Sequence, residues 1–581
     1  MFKKVLVYAG EYKKYSYLSV GLLLIAVTAS ILPYLFIYQL IDPLIAHETL
    51  EVSYIVFRLA AIALCFILYA YCYIAGLAYS HQSAYHTLKN LRISLQKKLE
   101  SKPLGMIEAK GVGTLKKMFI DDIESIELLL AHALPEGIAN LAIPVLIYLV
   151  MFFVDYKLAL LSLCSLPIGL LAMGAMYKIG SKEMGNYYAA AQKMNNTIIE
   201  YINGMEVVKV FNRDGESYHR FEGDVKAYRD FTLAWYKACW PWMALYNSIL
   251  PCVALVTLPV GSFLVLKGYA TLSNFVLVLC LSFAIGAPLI RALSFVSTMP
   301  QINYKIEALE KLMDAPELQA SDEAFTGNNY DIVYEDVHFG YDQKEVIHGI
   351  NLQIKQGTTT ALIGESGNGK STLAKLLVHF YDVNSGRITI GGQDIRQMRI
   401  SDLNELISFV SQDQFLFNTT LLENIRVGNL QASDEEVKAA ASKAQCDEFF
   451  SRLDHGIETM AGDGGKQLSG GERQRIALAR AILKDAPIIV LDEATAFMDP
   501  ENEDKMNKAI AAVIKDKTVI VIAHRLQSIV NADQICLLND GHLEMVGKHE
   551  ELLEKSSLYQ KLWNAAVGRV QWKIETKEVE V

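Results

Sequence analysis

A glycine-rich run, Gly364-Glu365-Ser366-Gly367-Asn368-Gly369-Lys370-Ser371-Thr372, fits the phosphate-cradling pattern G-x-x-x-x-G-K-S/T at every position. Its glycines let the backbone turn tightly enough for successive N–H groups to face an anion. Lys370 reaches the β- and γ-phosphates, and Ser371 offers its hydroxyl to Mg²⁺. Downstream come LSGGE, Leu468 to Glu472, and IIVLDEA, Ile488 to Ala494. Asp492 closes an apolar run, where a carboxylate can hold Mg²⁺ opposite Ser371. Glu493 follows it and can orient and polarise an attacking water. The chemistry these segments predict is binding and hydrolysis of ATP.

Such residues need a rigid frame. The run TTALI before Gly364 reads as a buried strand, and TLAKLLVHFY after Lys370 reads as an amphipathic helix, the context a phosphate loop requires. The β-rich runs IVYEDVHFGY, INLQI, RITIGG, ISFVSQ, APIIVLD, KTVIVIAH and DQICLLNDG alternate with helical stretches, so residues 331–581 are expected to form an α/β nucleotide-binding domain. Ser469, Gly470 and Gly471 open the helical run ERQRIALARAIL and present N–H groups, a hydroxyl and the helix dipole to an anion. Tyr341, just before the first core strand, can stack its ring on a base.

The first half is of another kind. The chain has 581 residues, 52% of them hydrophobic, and a positive mean hydropathy, which points to a membrane portion. Six uncharged apolar stretches, Tyr15–Ile41, Leu59–Ser80, Gly137–Val154, Leu158–Tyr177, Ala238–Leu266 and Gly268–Ile290, are each about long enough to cross a ~30 Å hydrocarbon core. The first is too long for a cleaved signal and reads as a retained anchor. Lysines and arginines crowd the loops between spans two and three and between spans four and five, so both long loops and both termini are placed in the cytoplasm. Helical periodicity continues through those loops, and two arms of roughly 30 residues would each reach ~45 Å beyond the bilayer. Pro316, Gly327 and paired asparagines break the pattern after the sixth span. The expected organisation is a transmembrane domain over 1–314, a linker over 315–330 and the nucleotide domain over 331–581.

A net charge of −10 with no basic aromatic platform argues against a nucleic-acid partner. The eight cysteines form no CxxC and read as packing residues in a reducing compartment rather than a disulfide framework or metal site.

Three ordered motifs behind six spans give a chain that resembles the ATP-binding cassette (ABC) transporters over nearly its full length, in the arrangement of their exporter-type half-transporters. The resemblance implies that Asp492 is the aspartate holding Mg²⁺ and that Glu493 is the catalytic base. It implies that His524 in IVIAHRL contacts the γ-phosphate and the water. Gln412 in FVSQDQFLF is implied to reach Mg²⁺ and report nucleotide state to the arms, with Gln414 two residues away. Tyr341 is implied to stack on adenine. The segment Ser469-Gly470-Gly471 is implied to cap the γ-phosphate held by the opposite subunit, so the working unit is a pair of half-transporters, identical or related, with twelve spans. The stretch Glu200 to Phe221 is similar to the family's second cytoplasmic loop, whose short coupling helix docks on the partner cassette.

Two positions depart from the family's pattern. Glu472 stands where glutamine is commoner. ATAFMDP follows Glu493, with Ala496, Phe497 and Met498 in place of the usual Ser-Ala-Leu and with Asp499 retained at the nucleotide site. This variant looks like a branch that includes siderophore uptake systems built on the exporter fold. Three functions stay open: export of a small or amphipathic molecule, import of a metal-siderophore, or an ATP-gated channel or regulator. For the cargo path, Trp235, Trp240, Trp242, Tyr246 and Asn247 cluster near the start of span five and serve either as interfacial anchors or as substrate contacts. Asn140 and Asn247 either face an aqueous cavity or join helices.

Overall fold

The computed structural model describes residues 2–210, 214–341, 344–412, 414–492, 500–523 and 526–568. The chain divides into two compact units, one of residues 1–100 and 111–315, the other of residues 101–110 and 316–581. The boundary falls at Ala315/Pro316, and the segment that reads as a linker belongs to the second unit. There the Phe325 amide donates to Asp402, the Tyr330 amide to Gln356 and the Gln319 amide to Asp382, at 3.0 to 3.1 Å.

Among the described residues of the first unit, six helical segments are long and apolar enough to cross a membrane: Gly10–Ile45, Val52–Glu100, Val112–Val154, Tyr156–Asn203, His219–Leu266 and Leu272–Met313. The second is one unbroken helix of 49 residues, about 74 Å long at 1.5 Å per residue, so it projects far past a ~30 Å core. Polar caps start two of the spans. Asp155 accepts from the amides of Lys157 and Leu158, and Thr271 accepts from that of Asn274. Leu23, Ile147, Met151, Leu158 and Leu281 pack where the helices meet, while Phe153, Leu171 and Leu64 stay exposed. Outward-facing apolar side chains are what a lipid-facing surface needs.

Two spans are broken where they touch. The fifth stops at Ile249 and resumes at Ala254, with Pro251 in the gap, whereas Pro241 and Pro259 sit inside helices. The sixth is interrupted between Phe283 and Gly286. A Cβ on Gly286 would lie 2.4 Å from the Pro251 Cα, so only glycine permits this backbone approach.

Among its described residues the second unit holds ten strands: β1 (Ile332–Tyr341), β2 (Lys344–Ile354), β3 (Thr359–Ile363), β4 (Ser385–Ile390), β5 (Gln393–Asp394), β6 (Ile407–Val410), β7 (Ile488–Asp492), β8 (Thr518–Ile522), β9 (Gln534–Asn539) and β10 (His542–Gly547). An antiparallel sheet has the order β2-β1-β4-β5, and a second sheet has the order β10-β9-β3-β8-β7-β6. In the latter all pairings are parallel except β10 with β9. Alternation along β7 serves two cores. Ile488 and Val490 join a cluster with β1, β2 and the Lys370–Leu377 helix, while Ile489 and Leu491 join one with the Gly470–Lys484 helix. The C-terminal helices pack Leu552 and Tyr559 against Ala361 and Ile363 of β3. The resulting architecture is a six-span helical domain followed by an α/β cassette.

Candidate functional site

Ligands of open parallel sheets bind at the C-terminal ends of the strands. The phosphate loop leaves that end of β3, Asp492 ends β7, and the Ser411-Gln412 loop leaves β6. Glu493, Asp499 and His524 lie outside the described residues. The strands that lead to Glu493 and His524 are adjacent and in register, with Asp492 opposite Ile522.

Gly364 has φ +149°, and a Cβ there would meet the Leu538 carbonyl oxygen at 2.3 Å. Gly369 has φ +89°, and a Cβ there would meet Ile347 at 2.5 Å. Both positions therefore demand glycine for reasons internal to the chain. Asn368 ties the loop to β9 through a 3.2 Å bond to the Leu538 carbonyl. Lys370, only 5% exposed, folds over its own loop and donates to the Gly364 and Glu365 carbonyls at 2.9 and 2.8 Å. Ser371 donates to Asp492 at 3.2 Å. A hydroxyl and a buried carboxylate this close are hard oxygen donors of the kind Mg²⁺ prefers, so the donor set fits that ion. Glu365, Ser366 and Gly367 complete the loop, and Thr372 faces the Tyr341 hydroxyl at 3.3 Å.

Tyr341 is 38% exposed, with its ring held edge-on by Phe339 and Tyr381 at 5.0 and 5.3 Å. Gln412 is exposed on its loop, whereas Gln414 folds back to the Ser411 carbonyl.

LSGGE is built differently. Ser469 caps the Gly470–Lys484 helix in a reciprocal box: the Glu472 amide donates to the Ser469 hydroxyl at 3.3 Å, and the Ser469 amide to the Glu472 carboxylate at 2.8 Å. Glu472 also pairs with Arg452 at 2.9 Å. A glutamate at this position is thus accounted for by local capping. Ser469 and Gly470 are exposed, and a Cβ on Gly470 would meet nothing within 4 Å.

Sequence reasoning missed one feature of the cassette. Residues 101–110, from the first cytoplasmic loop, pack on it beside the tyrosines. The Leu104 amide donates to the Phe380 carbonyl at 2.9 Å, the Leu318 amide to the Ser101 carbonyl at 2.9 Å, and Tyr381 to the Glu108 carboxylate at 3.0 Å. Gly105 lies against the Tyr381 ring so closely that a Cβ would stand 2.1 Å from it. Burial, with Tyr341 and Glu108 nearby, pushes the Tyr381 phenol up and keeps it a neutral donor. In the second loop a short helix, Met205–Val210, follows a break at Gly204 and leaves Val207 and Val210 exposed.

The cargo candidates separate. Tyr246 and Asn247 line a cavity of about 190 Å³ with Met173, Met176 and Tyr177. Tyr177 also lines a larger one of about 930 Å³ with Met184, Met299, Asn303 and Tyr304. Asn140 instead bonds back to the Glu136 carbonyl of its own helix at 2.8 Å. Trp235 packs at a tilt against Tyr187 and Tyr236, and Trp240 and Trp242 are exposed.

Residues 347–496 match the family model described as ABC transporter, and residues 17–289 match the one described as ABC transporter transmembrane region. The mycobactin import ATP-binding/permease protein IrtA of Mycolicibacterium smegmatis is 35% identical over 486 residues, covering 82% of this chain and 55% of that protein. This chain thus spans about half the length of the mycobactin import proteins it matches. The ABC transporter ATP-binding protein YwjA of Bacillus subtilis is 32% identical over 504 residues, 85% of this chain and 86% of that one. The ATP-dependent lipid A-core flippase of Desulfotalea psychrophila is 31% identical, with 82% and 84% covered. A solved bacterial Atm1-family ABC exporter with ATP bound superposes with a TM-score of 0.79 at 25% identity, over 97% of this chain and 99% of that one.

Proposed function

The chain belongs to the ABC transporter family, and from that premise we propose that it is one half of an ATP-driven transporter whose two chains close around two ATP molecules. The observation that carries this reading is Gly470: nothing among the described residues of its own chain requires a glycine there, yet its helix N-terminus is exposed and shaped for an anion. A second chain's γ-phosphate supplies the missing reason.

In each composite site the Tyr341 ring takes the adenine, the loop amides from Glu365 to Thr372 take the phosphates, and Lys370 exchanges its loop carbonyls for phosphate oxygens. Ser371, Asp492 and Gln412 would hold Mg²⁺, which would supply neutralising charge for the phosphates when bound. Ser469, Gly470 and Gly471 of the other chain close the site, with Asp499 at the junction. Glu493 takes the proton of the attacking water, and His524 holds the γ-phosphate and water in line. Hydrolysis removes the contacts that favoured closure, so the closed state loses its advantage. The docked 101–110 segment and the Met205–Val210 helix, the latter on the partner cassette, carry that change to the spans.

The cargo is a small or amphipathic molecule, which suits two cavities lined by methionine, tyrosine and asparagine, the larger of them also by the charged Lys117, Asp122, Lys305 and Glu307. The exporter-type fold supports export. Import of a metal-siderophore is the second reading, favoured by the identity with the mycobactin import proteins. In lipid nanodiscs, Glu493→Gln is expected to bind ATP normally while turnover falls about 100-fold or more; near wild-type turnover overturns the assignment. Labelled ferric siderophore accumulating inside right-side-out vesicles selects import, and its ATP-dependent depletion there selects export.

A further inference from the structure

Outside the nucleotide site, one group of side chains has the composition of a metal centre. One donor atom each from His81, Glu127 and His132 lie within 4.8 Å of one another, and all three residues are half-buried. His81 belongs to the second span and the other two to the third. His81 Nδ1 is 3.1 Å from Glu127, the two imidazoles stand edge to face at 5.0 Å, and His132 Nδ1 is 2.7 Å from the Glu136 carboxylate.

The backbone is bent out of its ordinary form to make this arrangement. Glu127 and His132 are five residues apart, which on an α-helix puts them about 140° apart around the axis. The segment Leu128–Ala133 is instead π-helical, and the Leu134 amide donates to the Leu129 carbonyl at 3.0 Å, an i to i+5 bond. A turn closed at i+5 brings the fifth residue back above the first. Leu129, Leu130, Ala131 and Ala133 are buried within that turn, so packing fixes it. Simple pairing of two histidines with two glutamates would not require the two pairs to share one face; a common ligand would.

We propose that His81, Glu127 and His132 bind a divalent first-row transition metal ion of the Zn²⁺ and Fe²⁺ class. Two imidazole nitrogens and one carboxylate suit such ions and disfavour Mg²⁺ and Ca²⁺, which take oxygen donors, as well as the soft Cu⁺, which takes sulfur. Tetrahedral ligands on bonds of 2.0–2.1 Å stand about 3.3 Å apart, so small side-chain rotations complete the shell. Three protein donors leave a coordination position open, as in exchangeable sites. Glu136 fixes the His132 tautomer by accepting from Nδ1, which turns the Nε2 lone pair toward the ion, and acts as a positioning residue. The ion then bridges spans two and three at the ends of their apolar runs.

The test is titration of the full, tag-free chain in nanodiscs with Co²⁺ under excess Mg²⁺ and without nucleotide, read by visible d–d absorption. One saturable Co²⁺ per chain is expected, displaced by Zn²⁺ and unaffected by Mg²⁺. His81→Gln and His132→Gln are each expected to weaken binding at least 100-fold, and Glu136→Gln about 10-fold, with far-UV circular dichroism unchanged. An absorption no stronger than that of aqueous Co²⁺, or His81→Gln and Glu127→Gln variants that fold and bind like the parent, would overturn the proposal. Should a histidine variant fail to fold, Glu127→Gln and Glu136→Gln carry the same decision.

Discussion

The phosphate loop and the LSGGE corner are both glycine-rich entries to a helix, yet they are finished to different degrees. Around the loop, Lys370, Asn368 and Asp492 are buried, with Lys370 bonded to the loop's own carbonyls, Asn368 to β9 and Asp492 of β7 to Ser371, and the glycines at 364 and 369 are enforced by atoms of the same chain. At LSGGE, Ser469 and Gly470 are exposed, the hydrogen bonds are local, and the space over Gly470 is open. One is a built half-site; the other is an open surface, which the proposed dimer closes with a second chain's nucleotide. Fold stability and hydrolysis should therefore respond differently at the two.

Lys370→Ala removes a preorganised cation from developing charge and should lower ATPase activity by 100-fold or more. Gly470→Arg should lower it comparably while the melting temperature moves by no more than about 2 °C, because the side chain enters open space. A large drop in melting temperature for Gly470→Arg would break the contrast. Tyr381→Phe sharpens it from the arm side. The bond to half-exposed Glu108 is discounted to about 1 kcal/mol, so cargo moved per ATP should fall roughly five-fold while basal hydrolysis persists. Equal losses of transport and hydrolysis would remove the arm from coupling. Glu472→Gln should change stability by less than about 0.5 kcal/mol and activity by less than about two-fold, since glutamine keeps the capping box and Arg452 is exposed.

The thiols give the smallest effect. Burial pushes Cys446 and Cys536 up to about 12, so both should resist alkylation at pH 8.5 until the cassette unfolds. Their folded values lie above the unfolded one, so their contribution to stability is present below about pH 8.5 and is lost as pH rises through about 12.

The parts legible in the sequence were those where backbone geometry dictates residue type. The loop from Gly364 to Thr372 needs positive φ and close approach, and the spans need unbroken apolar length. Docking of residues 101–110 was not legible, because LGMIEAK has no periodic face and its fit depends on Tyr381 filling the space beside Gly105. The π turns at Met118–Asp122 and Leu128–Ala133 leave no mark in composition, so no sequence spacing relates His81, Glu127 and His132. The apparent linker contains breakers, yet Asp402, Gln356 and Asp382 hold it on the cassette through bonds no local pattern announces. The roles expected of Glu493 and His524 rest on the family resemblance and on the strands that lead to them, and the structure describes those strands.

Shared ownership of each nucleotide is tested most directly by mixing two inactive chains, one carrying Lys370→Ala and the other Gly470→Arg. In a mixed dimer one site combines both damaged parts, and the other combines the intact loop of one chain with the intact LSGGE of its partner. ATP hydrolysis absent from either variant alone should return on co-assembly. No recovery in verified mixed dimers, or wild-type hydrolysis by Gly470→Arg alone, would contradict the account.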